Sequence, residues 1–428
     1  MGRFRFLGKI SIMKKLAGAA MLSAGDILGK LIGFLILPYL TSKMGVSEYG
    51  LLTLYLSFIQ ILIILISFSG QGLLPVKYIQ ENENASLIFR HDNINLAIFS
   101  SIFILLVFVF FKFFLSINIP FSDAFFIVFA SLVQGVNVIN LSHLRISQTY
   151  KLASIGQFSL SVLNVLFTIV LFSFLDGTAE YRLMAVTLSF LLVQLFYSYS
   201  IFSKLNVDFS KRKTSKRQSY KEIMLYGISL WPHHGSYWIK STIDRFFIAH
   251  YMSVAVVGVY GLALQLSSIL MLFFSVISQA FQPFIYRYLN EKDFLSVKRI
   301  QFIYVCFVLF CALIYYIVTP YAFPYLFSHK FNKAIPYFNY LLPGTAFMCI
   351  YYIYTHVLFF YKRNKIISTI TASSMLAHLI GILCVILIHI SVEMFCVVYT
   401  VSSAFACIAT ACVCSKNIKA MRRSVNDS

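Results

Sequence analysis

Charge is what this sequence has least of. Lys, Arg, Asp and Glu make up 12% of the 428 residues, about half the share in an ordinary soluble domain. That shortage excludes a water-soluble globular fold. Acidic residues are scarcer still, 15 against 35 basic ones, which leaves a net charge of +20. Cysteine is absent from the first half. The eight that follow form no CxxC pair, so they read as small apolar side chains rather than disulfides or ligands. No long series of segments alternates with period two, which argues against a β-barrel. The stretch "GDILGK", residues 25–30, is one residue short between its glycines for a phosphate loop and lacks the following Ser or Thr. With no nucleotide-binding domain and no cofactor expected, energy would come from an ion gradient, the membrane potential or the substrate gradient itself.

Long apolar runs are plentiful. Hydrophobic residues are 59% of the chain, and runs of roughly 20, enough to cross about 30 Å of hydrocarbon, recur along its length. The pattern predicts an all-α integral membrane protein with twelve spans. They lie near 18–39, 50–70, 93–115, 121–143, 153–174, 182–203, 222–250, 256–283, 299–319, 336–360, 365–389 and 392–414. "MKKLAGAAML", residues 13–22, resembles the start of a signal peptide, but the apolar segment runs on past Asp26 and Lys30 and reads as a retained first helix. Met13 is an alternative start to Met1. With the N-terminus inside, the cytoplasmic segments hold 27 Lys and Arg, the external ones 5 and the span interiors 3, as the positive-inside rule requires. Both termini are therefore expected in the cytoplasm. Basic loops facing an anionic leaflet account for the charge without nucleic acid.

The densest basic loop, residues 204–221, carries seven Lys and Arg and divides the chain. The expected organisation is a cytoplasmic segment 1–17, an N-lobe 18–203, the linker 204–221, a C-lobe 222–414 and a cytoplasmic tail 415–428. Tyr49-Gly50-Leu51 aligns with Tyr260-Gly261-Leu262 at an offset of 211, each copy following the first helix of its half. Six helices per half imply parallel, pseudo-symmetric lobes about an axis normal to the membrane. Transporters built this way bind substrate between the halves, near mid-membrane.

The first and seventh predicted helices are the unusual ones. In the first, Gly25, Gly29 and Gly33 form a smooth ridge for close helix approach. Asp26 and Lys30 stand four apart beside it. The seventh carries "SYWIKSTIDRFFIAHY", residues 236–251, with Lys240 and Asp244 again four apart and Arg245 next to them. An ionised group facing lipid costs about 3 kcal/mol or more, so such groups turn inward. Lys30, Arg245 and Lys240 are candidates to line a central hydrated cavity, with Asp26 and Asp244 controlling it. The competing reading is that these are ion pairs within or between helices that only hold the fold. "SLWPHHGSYW", residues 229–238, places Pro232 and Gly235 where they weaken the helix, with His233 and His234 adjacent. It reads either as a broken helix at a transport site or as an inner mouth whose Trp231 and Trp238 belong to an interfacial belt. Adjacent histidines diverge on a helix, so no metal site is expected. His143, His250, His356 and His378 are scattered and show no pairing.

The whole chain resembles the polysaccharide-transport members of the multidrug/oligosaccharidyl-lipid/polysaccharide exporter (MOP) superfamily, most closely the Wzx-type O-antigen flippases. The resemblance rests on length, span number, two six-helix lobes with a basic central loop, "LPYLTSKMGVSEYG" at 37–50 and "DRFFIAHYMSVAVVGVYG" at 244–261. The segment "WPHHGSYWIK" is more polar than the family pattern. The resemblance implies a MATE-like fold around a central cavity. It also implies a flippase, not an enzyme, that moves an undecaprenyl-pyrophosphate-linked oligosaccharide across a bacterial inner membrane by alternating access. Implied partners are the bilayer, a polysaccharide polymerase and a chain-length regulator, with H+ or Na+ as candidate coupling ions. The rival reading within the superfamily is an ion-coupled multidrug exporter. Three basic against two acidic intramembrane groups favour the anionic substrate, and Arg suits phosphate geometry best.

Overall fold

The computed structural model describes residues 29, 31–115, 120–204, 208–212 and 215–426. No strand occurs among them. The helices are α1 (Leu31–Lys43), α2 (Val46–Ser67), a short α3 (Leu74–Gln80), α4 (Glu83–Leu115), α5 (Phe121–Ile146), α6 (Tyr150–Phe174), α7 (Ala179–Lys204), α8 (Lys216–Tyr251), α9 (Val254–Asn290), α10 (Phe294–Leu326), α11 (Ala334–Phe360), α12 (Asn364–Ile388) and α13 (Val392–Asn426). Backbone polar groups have no water to bond inside hydrocarbon, so a helix, which bonds its own, is the form such runs take.

Among the described residues, ten helices are long and apolar enough to cross a membrane: α2, α4 to α7 and α9 to α13. These match ten of the twelve expected spans. The expected first span survives among the described residues only as the short apolar α1; Asp26, Lys30 and Gly25 lie outside them. The expected seventh span is present as α8, 36 residues long, but it is too polar to count as apolar.

Several helices outrun their expected ends. α4 begins at Glu83, ten residues before the expected 93. The intervening "FRHD" looked like a loop because it is charged. Two of its charged side chains instead take partners inside the fold. Arg90 Nε donates to Asn140 Oδ1 at 2.7 Å, and Asp92 accepts two bonds from Arg212 at 2.8 and 2.9 Å. α9, α10 and α11 run through Pro283, Pro320, Pro324 and Pro343. Membrane helices tolerate proline because neighbours re-satisfy the carbonyl it frees.

The chain divides into two compact units. One holds residues up to Met44 together with Leu54–His234; the other holds Gly45–Thr53 and Gly235–Ser428. α2 and α8 thus contribute to both. In the first unit, Leu87, Leu144, Ala153, Leu160, Val193, Tyr197 and Ile201 form one apolar cluster. Leu74, Phe89, Leu96, Ile139 and Ile223 form another, which seats the start of α8 against α3, α4 and α5. In the second unit, the start of α2 crosses α9 at van der Waals range. A Cβ on Gly50 would lie 1.9 Å from the Val254 carbonyl oxygen, and one on Gly258 2.1 Å from that of Val46. Only glycines permit this crossing, and it explains why the first eight residues of α2 group with the second unit. The glycine ridge expected in the first helix is not continuous. Gly29 abuts the Ser161 hydroxyl, but the space around Gly33 is open.

Candidate functional site

α8 has two halves of different character. Its first half, in the first unit, docks on the end of α2. There Phe68 and Ser69 both adopt left-handed backbone, with φ of 48° and 49°. Non-glycine residues rarely do so and each costs about 1 kcal/mol or more. α8 holds this turn in place. The Phe68 ring stacks on Trp231 with centroids 5.4 Å apart, and Gly227 sits so close that an added Cβ would lie 2.3 Å from the Phe68 carbonyl oxygen. Lys77 of α3 bridges Glu222 of α8 at 3.0 Å and Glu81 at 3.1 Å. Burial pulls the Lys77 amine down, but the two carboxylates outweigh it and hold it above the usual lysine range.

The second half of α8 holds the charged cluster. Positions 237, 240 and 244 share one face by helical spacing. The Asp244 side chain is 5% exposed and His378 is fully buried. Asp244 Oδ2 accepts from the Tyr260 hydroxyl of α9 at 2.6 Å, and His378 Nε2 of α12 lies 2.7 Å from Asp244 Oδ1. The other imidazole nitrogen, Nδ1, is 3.2 Å from Ser402 Oγ of α13, which donates to the Tyr399 carbonyl at 3.0 Å. Lys240 Nζ donates to Ser374 Oγ at 2.7 Å and to the Ser402 carbonyl at 3.5 Å. Ser374 in turn donates to that carbonyl at 2.7 Å. Four helices thus meet in one polar network inside otherwise apolar packing.

The structure brings Lys240 and Asp244 into this network but does not pair them with each other. The i,i+4 spacing suggested an intrahelical ion pair. Instead the lysine turns to α12 and α13 and the aspartate to α9 and α12. Arg245, one position on, is partly buried with Asp244, Tyr260 and Tyr49 as its electrostatic neighbours. Helix α8 runs unbroken through Pro232 and Gly235, so the expectation of a broken helix does not hold. Proline removes one N–H from the ladder and the remaining bonds carry the helix past it. The His233 and His234 rings stand 5.5 Å apart; His233 is exposed and His234 partly buried. Among the described residues no cluster of three or more His, Cys, Asp or Glu side chains could hold a metal. Asp26 and Lys30, the counterparts in the first helix, lie outside the described residues.

Ser374 and Ser402 carried no signal in the sequence, Tyr260 stood out only as part of the repeat, and His378 was read as unpaired. Its partner Asp244 is 134 residues away, so only the fold shows the pair. The available signal was an ionisable residue inside an apolar span, which by itself marks a site. The first unit has a buried polar network of its own. Beyond Arg90 and Asn140, Asn140 donates to Gln194 at 2.6 Å and Gln194 to Asn137 at 2.6 Å.

This arrangement of membrane-spanning helices is that of a MATE-type transporter. An inward-facing multidrug resistance MATE family transporter of the MOP superfamily superposes with a TM-score of 0.72 at 13% identity, covering 93% of this chain and 96% of that one. A MOP superfamily transporter from Pyrococcus furiosus, described as having a binding pocket of reversed polarity, superposes at 0.59 with 13% identity, over 95% and 96% of the two chains.

At these identities the likeness concerns the fold. The polysaccharide biosynthesis protein family model matches residues 16–289, and the MatE model matches residues 236–384. A protein of the Lsg locus of Haemophilus influenzae is 26% identical over 367 residues, spanning 83% of this chain and 87% of that protein. An uncharacterized membrane protein of the same organism is 25% identical over 362 residues, 83% and 86% of the two chains. The chain belongs to the polysaccharide biosynthesis protein family.

Proposed function

We propose that the protein flips an undecaprenyl-pyrophosphate-linked oligosaccharide, an O-antigen repeat unit, from the cytoplasmic to the periplasmic leaflet of a bacterial inner membrane. In this reading both termini and the 204–221 linker are cytoplasmic and the two halves act as lobes in alternating access. The chain carries a lipid-linked glycan and is not an enzyme. The observation that carries the proposal is the state of α8. In a family tied to polysaccharide biosynthesis, a membrane helix keeps Lys240 and Arg245 at depth without pairing Lys240 to the acid one turn away. A pyrophosphate diester needs such cations where it enters a low-dielectric path, and Arg245 offers forked geometry for its oxygens. Lys30 has the same role in the first helix, and His233 and His234 add donors near the mouth.

Asp244 is the coupling group in this proposal, with Asp26 its counterpart. Asp244 bonds α9 through Tyr260 and lies against His378 of α12, so it stands where those two helices meet α8.

The test is complementation of a flippase-deleted strain together with flipping of a labelled lipid-linked oligosaccharide in proteoliposomes. Arg245→Ala is expected to abolish surface polysaccharide and flipping while the protein still inserts and accumulates. Full complementation by both Lys30→Ala and Arg245→Ala would sink the proposal. The MatE match over residues 236–384 keeps an ion-coupled multidrug exporter as the second reading. Efflux of lipophilic cations by the same proteoliposomes, without glycan flipping, would favour it.

A further inference from the structure

The polar network does not account for the tyrosines around it. Tyr237 stands seven positions before Asp244, so on a helix of 3.6 residues per turn the two side chains are nearly in line. That face turns into the second unit, where Asp244 meets α9 and α12. Yet Tyr237 is 62% exposed. An aromatic on an inward face that packing leaves uncovered lines an opening rather than a core.

Two more tyrosines border the same place. Lys240 Nζ lies 4.0 Å from Met348 Sδ on α11, and Tyr352 is one turn beyond Met348 on that face. Tyr352 has Tyr237, Tyr351 and Tyr399 as electrostatic neighbours. Tyr399 belongs to α13 and packs on α11. Its ring fits against Gly344, where an added Cβ would lie 2.9 Å from it. Tyr352 and Tyr399 are both partly buried. Three helices therefore present three tyrosines beside one lysine.

We propose that Tyr237, Tyr352 and Tyr399 form a carbohydrate subsite in the second unit, taking a hexose or N-acetylhexosamine unit with Lys240 as the adjoining cation. The inference rests on the flippase reading above and names where that reading's sugar is held. A pyranose has an apolar face of C–H groups and a rim of hydroxyls. A tyrosine offers a ring for the first and a donor–acceptor hydroxyl for the second. Concave sites lined by aromatics with a few fixed polar groups suit such ligands. Tight packing alone does not explain the set, because Tyr237 stays open.

The experiment uses the full chain in lipid nanodiscs and two probes, farnesyl pyrophosphate and farnesyl-pyrophosphate-linked N-acetylglucosamine. Binding is read from the fluorescence of Trp231 and Trp238, the two tryptophans in the chain. The glycosylated probe is expected to bind about tenfold or more tightly than the bare one, the worth of one or two added hydrogen bonds and ring contacts. Tyr237→Phe/Tyr352→Phe/Tyr399→Phe, which removes the hydroxyls and keeps the rings, is expected to lose most of that margin while keeping its melting temperature. Tyr237→Ala, at an exposed position that does not risk the fold, is expected to lose at least part of the same margin. Equal affinity for both probes in the native protein, or a full margin retained in the triple variant, overturns the subsite and leaves the flippase reading standing. Binding of neither probe overturns the flippase reading and the subsite with it.

Discussion

The two halves of α8 show how one helix serves two purposes. Residues 216–234 are held by packing. Gly227 and Trp231 clamp a turn with left-handed backbone, and Lys77 ties Glu222 at the margin. Residues 235–251 are held by hydrogen bonds of ionisable and polar groups, with Asp244, Tyr260, His378, Lys240 and two serines linked across four helices. Packing of the first kind is non-directional, whereas the hydrogen bonds of the second fix distance and angle. The ionisable groups near the start of α8 sit at its margin, whereas those of its second half are buried among partners from other helices.

The largest expected effect is at Asp244. Asp244→Ala leaves His378 buried beside an empty position, a loss of about 3–5 kcal/mol by analogy with broken buried pairs. Melting temperature and flipping should both fall sharply. Asp244→Asn keeps the shape and separates the two roles. If the aspartate gates, a well-folded Asn variant stalls, with cysteine accessibility locked toward one side of the membrane. Unchanged flipping by Asp244→Asn combined with Asp26→Asn would remove both aspartates from the mechanism.

The next effect breaks the clamped half. Gly227→Ala drives a methyl into the Phe68 carbonyl oxygen, an overpacking cost of about 1–3 kcal/mol. Stability should drop, and flipping should fall only in proportion to folded protein. A variant that melts like the parent would show that the turn is not held by α8.

Lys240→Met should separate stability from transport. Ser374 keeps its bond to the Ser402 carbonyl without the lysine, so nothing buried is orphaned. Removing a buried charge in favour of an apolar side chain of similar volume is often neutral or stabilising. The melting temperature should hold or rise while flipping falls by about tenfold, the price of roughly 1.4 kcal/mol in binding. A variant that flips at the native rate would confine Lys240 to a structural role.

The smallest effect is at the edge of the clamped half. Glu222→Gln removes one of two carboxylates from Lys77, whose other partner is Glu81. Glu222 is 39% exposed, so the pair is screened and worth at most about 1 kcal/mol. The folded-state lysine sits above its ordinary value of 10.5. Its contribution is therefore complete below that value and lost as pH rises through the folded one. The melting difference between parent and variant should vanish at high pH and shrink in high salt. A difference that persists under both conditions would mean that Glu222 acts through packing.

Much of the architecture was legible in the sequence. Ten of the expected spans appear as apolar membrane-length helices, because about 20 apolar residues in a row have one stable form in lipid. The ends were less legible. Arg90 and Asp92 read as loop charges until Asn140 and Arg212 were seen to receive them. At the site, Lys240, Asp244 and Arg245 were marked by their mere presence in a span. Their partners were not legible, since i,i+4 spacing is a local rule and the partners come from other helices.

Hydrophobic length and the cost of exposing charge to lipid act locally along a chain, so the sequence by itself determined a polytopic helical protein with an ionisable cluster on its seventh helix. Partner choice acts at a distance. Only the tertiary structure decided that Asp244 bonds Tyr260 and His378, that Lys240 turns to Ser374, and that glycines let α2 cross α9. Buried polar groups must be satisfied by whatever the packing brings within about 3 Å, and residues 134 apart in sequence meet only when helices pack.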